Sequence, residues 1–126
     1  MKKMINNPDN VIEELMSGYL IAYPEYIRRS ELHKRALISK KRNDKRKVSI
    51  LIGGGSGHEP AFLGYVGKGM ADGVAVGNIF ASPSPIPIQA VTREINRDHG
   101  VLYIYGNYAG DLMNFEMASE MTEIED

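Results

Sequence analysis

Residues 48–60 read VSILIGGGSGHEP, an apolar run of β-formers that breaks into four glycines, a serine, a histidine and a glutamate. Val48, Ile50, Leu51 and Ile52 lack strict alternation, as expected of a strand covered on both faces in an α/β sheet. This run is expected to be the first strand, with a glycine-rich loop at its carboxyl end. Gly53, Gly54, Gly55 and Gly57 carry no side chains, so backbone N–H groups there can approach a small ligand. His58 and Glu59 then stand at the lip of that loop.

The spacing excludes two familiar phosphate loops. A dinucleotide fingerprint starting at Gly53 needs glycine or alanine where His58 stands, and no Gly-Lys-Ser/Thr follows for a P-loop. A ligand-binding loop and a tight strand-to-helix turn both remain open, and an isolated histidine is more often structural.

Outward from this stretch, the chain alternates. Asn7-Pro8-Asp9 is a helix start, with Asn7 as N-cap and Pro8 at the first helical position. Val11, Leu15 and Tyr19, beside Ile12, Met16 and Leu20, form an amphipathic stripe that ends at Pro24. A second helical piece is expected over Glu31 to Leu37. Ala61 to Val66 allows only a short helix, because glycines follow so closely. Gly73 to Phe80 reads as the next strand, Ser82-Pro83-Ser84-Pro85 as a stiff turn, and Ile88, Val91 and Ile95 as the buried face of a crossover helix. Val101 to Tyr105 is expected to be a third, central strand. It runs into Gly106-Asn107-Tyr108-Ala109-Gly110-Asp111, after which a helix places Met113, Met117 and Met121 at i+4 spacing as core filler. The fold class is therefore α/β, a mostly parallel sheet with flanking helices and a glycine-rich loop after the first strand.

Loops at the carboxyl ends of neighbouring parallel strands are where open α/β sheets bind ligands. That pairs His58 with Asp111. Asp111 is either a first-turn acid satisfying a helix N-terminus or an acid/base partner of His58 across a glycine-lined pocket. Glu59 is expected to cap the following segment.

Composition narrows the class. The 126 residues with 43% hydrophobic content suit one domain or a piece of one. There is no cysteine, hence no disulfide framework and no thiolate chemistry. The N-terminus lacks the apolar core of a signal peptide and no apolar run is long enough to span a bilayer, so a cytoplasmic protein without membrane contact is expected. The net charge of −1 conceals +8 between Arg28 and Lys47 and −9 over the remainder. Residues Lys40 to Lys47 read as a solvated connector and not as a nucleic-acid surface, since no aromatic side chains interleave to stack bases.

GGGSGHEP at 53–60, GYVGKGM at 64–70, IFASPSP at 79–85 and NYAGDLMNFEMA at 107–118 together resemble the N-terminal part of the substrate-binding K subunit, or domain, of dihydroxyacetone (glycerone) kinases. The similarity extends to the opening MKKMIN and is poor over residues 24–45. It implies that residues 1–126 are the front of a K domain whose downstream half is absent, too little for full turnover alone. It implies a kinase that phosphorylates a terminal hydroxyl of dihydroxyacetone or a related short ketose. Gly55, Ser56, Gly57, His58 and Asp111 match substrate-binding positions, and His58 and Asp111 match the catalytic pair. The resemblance further implies a homodimer, no metal ligand in this chain, and a phosphate donor held elsewhere: ATP with Mg, or a phosphorylated partner subunit. The histidine that holds the substrate carbonyl as a hemiaminal in the family matches neither His33 nor His99. Gly106 stands where well-known members have lysine, which implies either a relaxed pocket, suited to a longer ketose such as a tetrulose, or a non-catalytic paralogue. Some relatives of the family act as non-catalytic dihydroxyacetone-binding co-regulators of transcription, and this is the alternative function.

Overall fold

A computed structural model describes residues 2–40 and 47–125. The elements run α1 (Val11–Ala22), β1 (Ile27–Arg29), β2 (Ala36–Ser39), β3 (Ser49–Ser56), β4 (Gly73–Ile79), α2 (Pro85–Ile95), β5 (Val101–Tyr105) and α3 (Ala109–Glu125), with one-turn 3-10 helices at Pro8–Asn10 and Leu63–Tyr65. The strands form one five-stranded sheet in the order β1-β2-β4-β3-β5.

The sheet is mixed, where the sequence pointed to a mostly parallel one. β4, β3 and β5 are parallel, while β1 pairs β2 and β2 pairs β4 antiparallel. The cause is local. The connection 30–35 is too short for a crossover, so β1 and β2 must fold back as a hairpin. Residues expected to form a helix over Glu31 to Leu37 instead lead into β2, and the run at 48–52 belongs to the third strand. Ala36, Leu37 and Ile38 are all fully buried. Ala36 and Ile38 face α2 and α3 while Leu37 faces α1, a period of two that a helix could not satisfy.

Two apolar layers enclose the sheet. On one face Ile12 and Met16 of α1 pack with Ile27, Leu37, Ile52, Val74 and Val76. On the other, Ile88, Val91 and Ile95 of α2 meet Ala36, Ile38, Leu51 and Ala75, joined by Phe115 and Ala118 of α3. The α1 and α2 stripes are thus placed as their spacing requires. Asn7 caps the opening turn by accepting from Asp9 N at 3.0 Å, and Pro85 opens α2.

Two expectations about the C-terminal third are overturned. β5 is an edge strand, with Leu102 and Ile104 half exposed on the α1 side of the sheet, where α1 packs on the neighbouring strands and not on β5. In α3 the buried positions are Asp111, Phe115 and Ala118, whereas Met113 and Met117 are exposed and Met121 is half-buried. Phe115 takes the core place because Tyr105 stacks on it at 4.2 Å and Tyr103 meets it edge-on at 5.5 Å. The basic connector 41–46 lies outside the described residues; its flanks are tied down by Lys40 Nζ to Pro24 O (2.7 Å) and Lys47 Nζ to Asp72 (3.1 Å).

Candidate active site

β3 does not end where its glycines begin. It continues through Gly53, Gly54 and Gly55 to Ser56, and the turn starts at Gly57. The glycines serve close approach. A Cβ on Gly54 would lie 2.1 Å from the Phe62 ring, and one on Gly55 would lie 2.7 Å from Ala81 N. Two loops therefore press directly onto the strand end, which any side chain would hold off. The register with β4 shifts between Gly54 and Ser56, an irregularity of the kind that re-aims chain ends beside active sites.

These loops enclose a cavity of about 360 Å3 lined by Gly55, His58, Phe62, Phe80, Ala81, Ser82, Tyr108, Gly110 and Asp111. Three elements supply it: the end of β3 with its turn, the end of β4, and the start of α3. β3 lies between β4 and β5 and runs parallel to both, so their carboxyl ends meet at one sheet edge.

Asp111 is the buried acid of this cavity. It sits in the first turn of α3, is 3% exposed, and its Oδ1 is buried without a hydrogen-bond partner. A buried unpartnered carboxylate oxygen at a cavity wall is costly for folding alone, because nothing replaces its lost water. Gly106 lies alongside: a Cβ there would stand 3.3 Å from Asp111 Oδ2 and 3.0 Å from the Tyr108 ring. A side chain at 106 would therefore enter beside the carboxylate.

His58 is exposed and lines the same cavity, with Phe80 edge-on at 5.2 Å and Tyr108 stacked at 6.1 Å. Of the residues singled out from sequence, Gly55, His58 and Asp111 line the cavity. Ser56 and Gly57 do not. Ser56 is 1% exposed and its hydroxyl donates to Gly77 O at 2.8 Å, which ties β3 to β4. Gly57 N donates to Glu59 Oε2 at 2.9 Å, so Glu59 closes the turn behind it and not the segment ahead. Its Oε1 is buried without a partner, and its charge adds to burial in raising the pKa of Tyr19.

Phe62, Phe80, Ser82 and Tyr108 were missed as site residues. A signal existed, since Phe80 and Ser82 follow the apolar run of β4 and must therefore emerge at the same sheet edge. Among the described residues there is no group of three or more His, Cys, Asp or Glu positioned for a metal ion, and no helix long and apolar enough to cross a membrane.

The sequence profile of the Dak1 domain matches residues 17–126. The chain is 47% identical over 121 residues to the dihydroxyacetone-binding subunit DhaK of PTS-dependent dihydroxyacetone kinase 2 from Listeria innocua serovar 6a, covering 96% of this chain and 37% of that protein. It is 42% identical over 125 residues to the D-erythrulose kinase of Mycolicibacterium smegmatis, covering 99% of this chain and 21% of that one. Among solved structures, the dihydroxyacetone kinase from C. freundii in complex with AMP-PNP and Mg2+ superposes with a TM-score of 0.90 at 32% identity, over 98% of this chain and 24% of that one. The dihydroxyacetone kinase operon co-activator Dha-DhaQ superposes with a TM-score of 0.81 at 36% identity, over 90% and 34%. The chain thus spans well under half the length of these relatives. With three of the four motifs that carried the resemblance, those at 53–60, 79–85 and 107–118, contributing to one cavity, and a profile match from α1 to the end of α3, the chain belongs to the Dak1 domain family.

Proposed function

We propose that this chain forms the ketose-binding half-site of a dihydroxyacetone-type kinase. The observation that carries the reading is the buried, unpartnered Oδ1 of Asp111 in a small cavity shared with His58 and Gly55. A short polyhydroxylated ketose supplies what that oxygen lacks, a hydroxyl donor, while remaining small enough for the space.

Asp111 accepts the hydrogen bond of the terminal hydroxyl and takes its proton as that oxygen bonds to phosphorus and the bond from phosphorus to the donor's oxygen breaks. His58 holds the substrate from the other side and exchanges a proton with its oxygen. Gly55 leaves room for the substrate against β3. Phosphoryl transfer depends mainly on such positioning and on charge stabilisation. The phosphoryl group arrives from a donor held outside these residues, either ATP with Mg or a phosphorylated partner subunit. A cytoplasmic homodimer is the proposed form of the protein. The space beside Asp111 left by Gly106 admits a four-carbon ketose as well as dihydroxyacetone, in keeping with similarity to both kinds of kinase.

The test is phosphorylation of dihydroxyacetone and erythrulose by the cellular protein carrying this sequence, with its donor. Asp111→Asn and His58→Ala are each expected to lower kcat roughly 10²–10⁴-fold, the range of general acid–base contributions. Unchanged rates would remove the chemistry from these residues. The likeness to the Dha-DhaQ co-activator favours a second reading, a dihydroxyacetone-binding regulator. Saturable dihydroxyacetone binding without transfer from either donor would establish that reading instead.

A further inference from the structure

His58 stands in a turn outside any helix or strand and is exposed, yet a residue with a chemical role needs a fixed orientation. Among the described residues, the ring contacts that hold it are aromatic. Tyr108 lies nearly parallel to the imidazole, at 22° and 6.1 Å, and Phe80 meets it at 66° and 5.2 Å. Neither ring serves a core. Phe80 is 71% exposed and Tyr108 62% exposed.

Both rings issue from backbone that is held in place. Phe80 N donates to Ser56 O at 2.8 Å, and its φ of 50° lies in the left-handed region that a bulky residue rarely occupies. That conformation sets its ring over the turn, where Cε1 lies 2.7 Å from the position of a Cβ on Gly57. Only glycine fits beneath it, at a φ of 104°. Tyr108 directly precedes α3; its N donates to Gly106 O at 2.8 Å and its O accepts from Leu112 N at 3.0 Å. Strain at an exposed aromatic residue beside a cavity points to a role in the site.

We propose that Phe80 and Tyr108 are positioning residues that clamp the His58 ring between the end of β4 and the start of α3, so that its nitrogen-bearing edges are fixed in a plane parallel to Tyr108. The proposal rests on the kinase reading for its catalytic meaning, but the clamp itself is a property of the fold.

Two measurements separate the two. In NMR of the 126-residue chain, the carbon-bound ring protons of His58 are expected to show ring-current displacement and restricted ring motion, with His33 and His99 as internal references for the fold. Tyr108→Leu with Phe80→Leu should move the His58 signals toward free histidine while the references stay, and Tyr108→Phe should preserve them. If the double variant disturbs all three histidines, the unaltered protein still decides, because free-histidine shifts and a mobile ring there overturn the clamp. Kinetically, in the cellular protein, Tyr108→Leu should lower kcat roughly 10²-fold with a smaller change in KM. In a His58→Ala background the same substitution should have no further effect. An equal loss in both backgrounds overturns the clamp. If no phosphoryl transfer occurs at all, the kinase reading fails and the NMR result alone decides the clamp.

Discussion

At the scale of single residues, the glycines and Ser56 show how close approach shapes this site. Gly77 is the tightest case: a Cβ there would lie 2.0 Å from Ala81 O and 2.7 Å from Pro83 N, both backbone atoms that cannot swing aside. Gly77→Ala should therefore destabilise the chain by about 1–3 kcal/mol, as overpacking does, and displace the loop that carries Phe80 and Ser82. Thermal denaturation with loss of ketose binding checks it. Ser56→Ala removes the hydroxyl that reaches Gly77 O and leaves a buried carbonyl without that donor. The expected loss is about 1–3 kcal/mol in denaturant unfolding. Ser56 was legible as part of the motif, but its side chain faces β4 and not the cavity, because alternation along a strand sends it away from its neighbours' side.

At the scale of elements, β1 is fastened to α2 by one acid. Glu94 accepts from Arg28 Nη1 at 2.6 Å, from the Ser30 hydroxyl and from Glu31 N. Burial raises its pKa, but the hydrogen bonds from Ser30, Arg28 and Glu31 and the charge of Arg28 outweigh that, and the net value lies below the ordinary 4.5. A carboxyl group lowered by folding contributes stability that is present above its unfolded pKa and lost as pH falls through its folded value. Acid unfolding should accordingly contain a component below about pH 4.5 that Glu94→Gln removes, while that variant loses about 1–3 kcal/mol at neutral pH. Denaturant unfolding across pH for both proteins checks the sign. Glu31 to Leu37, within the hairpin so fastened, reads as helical in the sequence, because two short strands without strong turn residues carry little signal until a sheet is present to receive them.

For the molecule as a whole, the β5 edge of the sheet carries exposed apolar side chains. Among the described residues β5 pairs only with β3, and Leu102 and Ile104 are 52% and 50% exposed on its open face. An unpaired edge carrying apolar side chains is a template for association. The 126-residue chain should sediment with a concentration-dependent mass, and Leu102→Lys with Ile104→Glu should return it toward a single monomeric species. A monodisperse monomer before substitution would show that the edge is inert. Met113 and Met117 add to the exposed apolar surface on α3, where periodicity alone suggested a core face.

The sequence by itself determined that β3, β4 and β5 are parallel strands, that α1 and α2 are helices, and that His58 and Asp111 stand at one sheet edge. Each follows from local rules: apolar runs, capping residues, helical spacing, and the tendency of parallel strands to gather their carboxyl ends. Tertiary structure alone decided that β2 pairs with β4, that β5 lies at the edge, and that Phe115 displaces the methionines from the core. It also decided that Phe62 and Tyr108 wall the cavity. These depend on which element covers which face and on how closely glycine lets two backbones meet. Such contacts join residues far apart in the chain, so no local pattern records them.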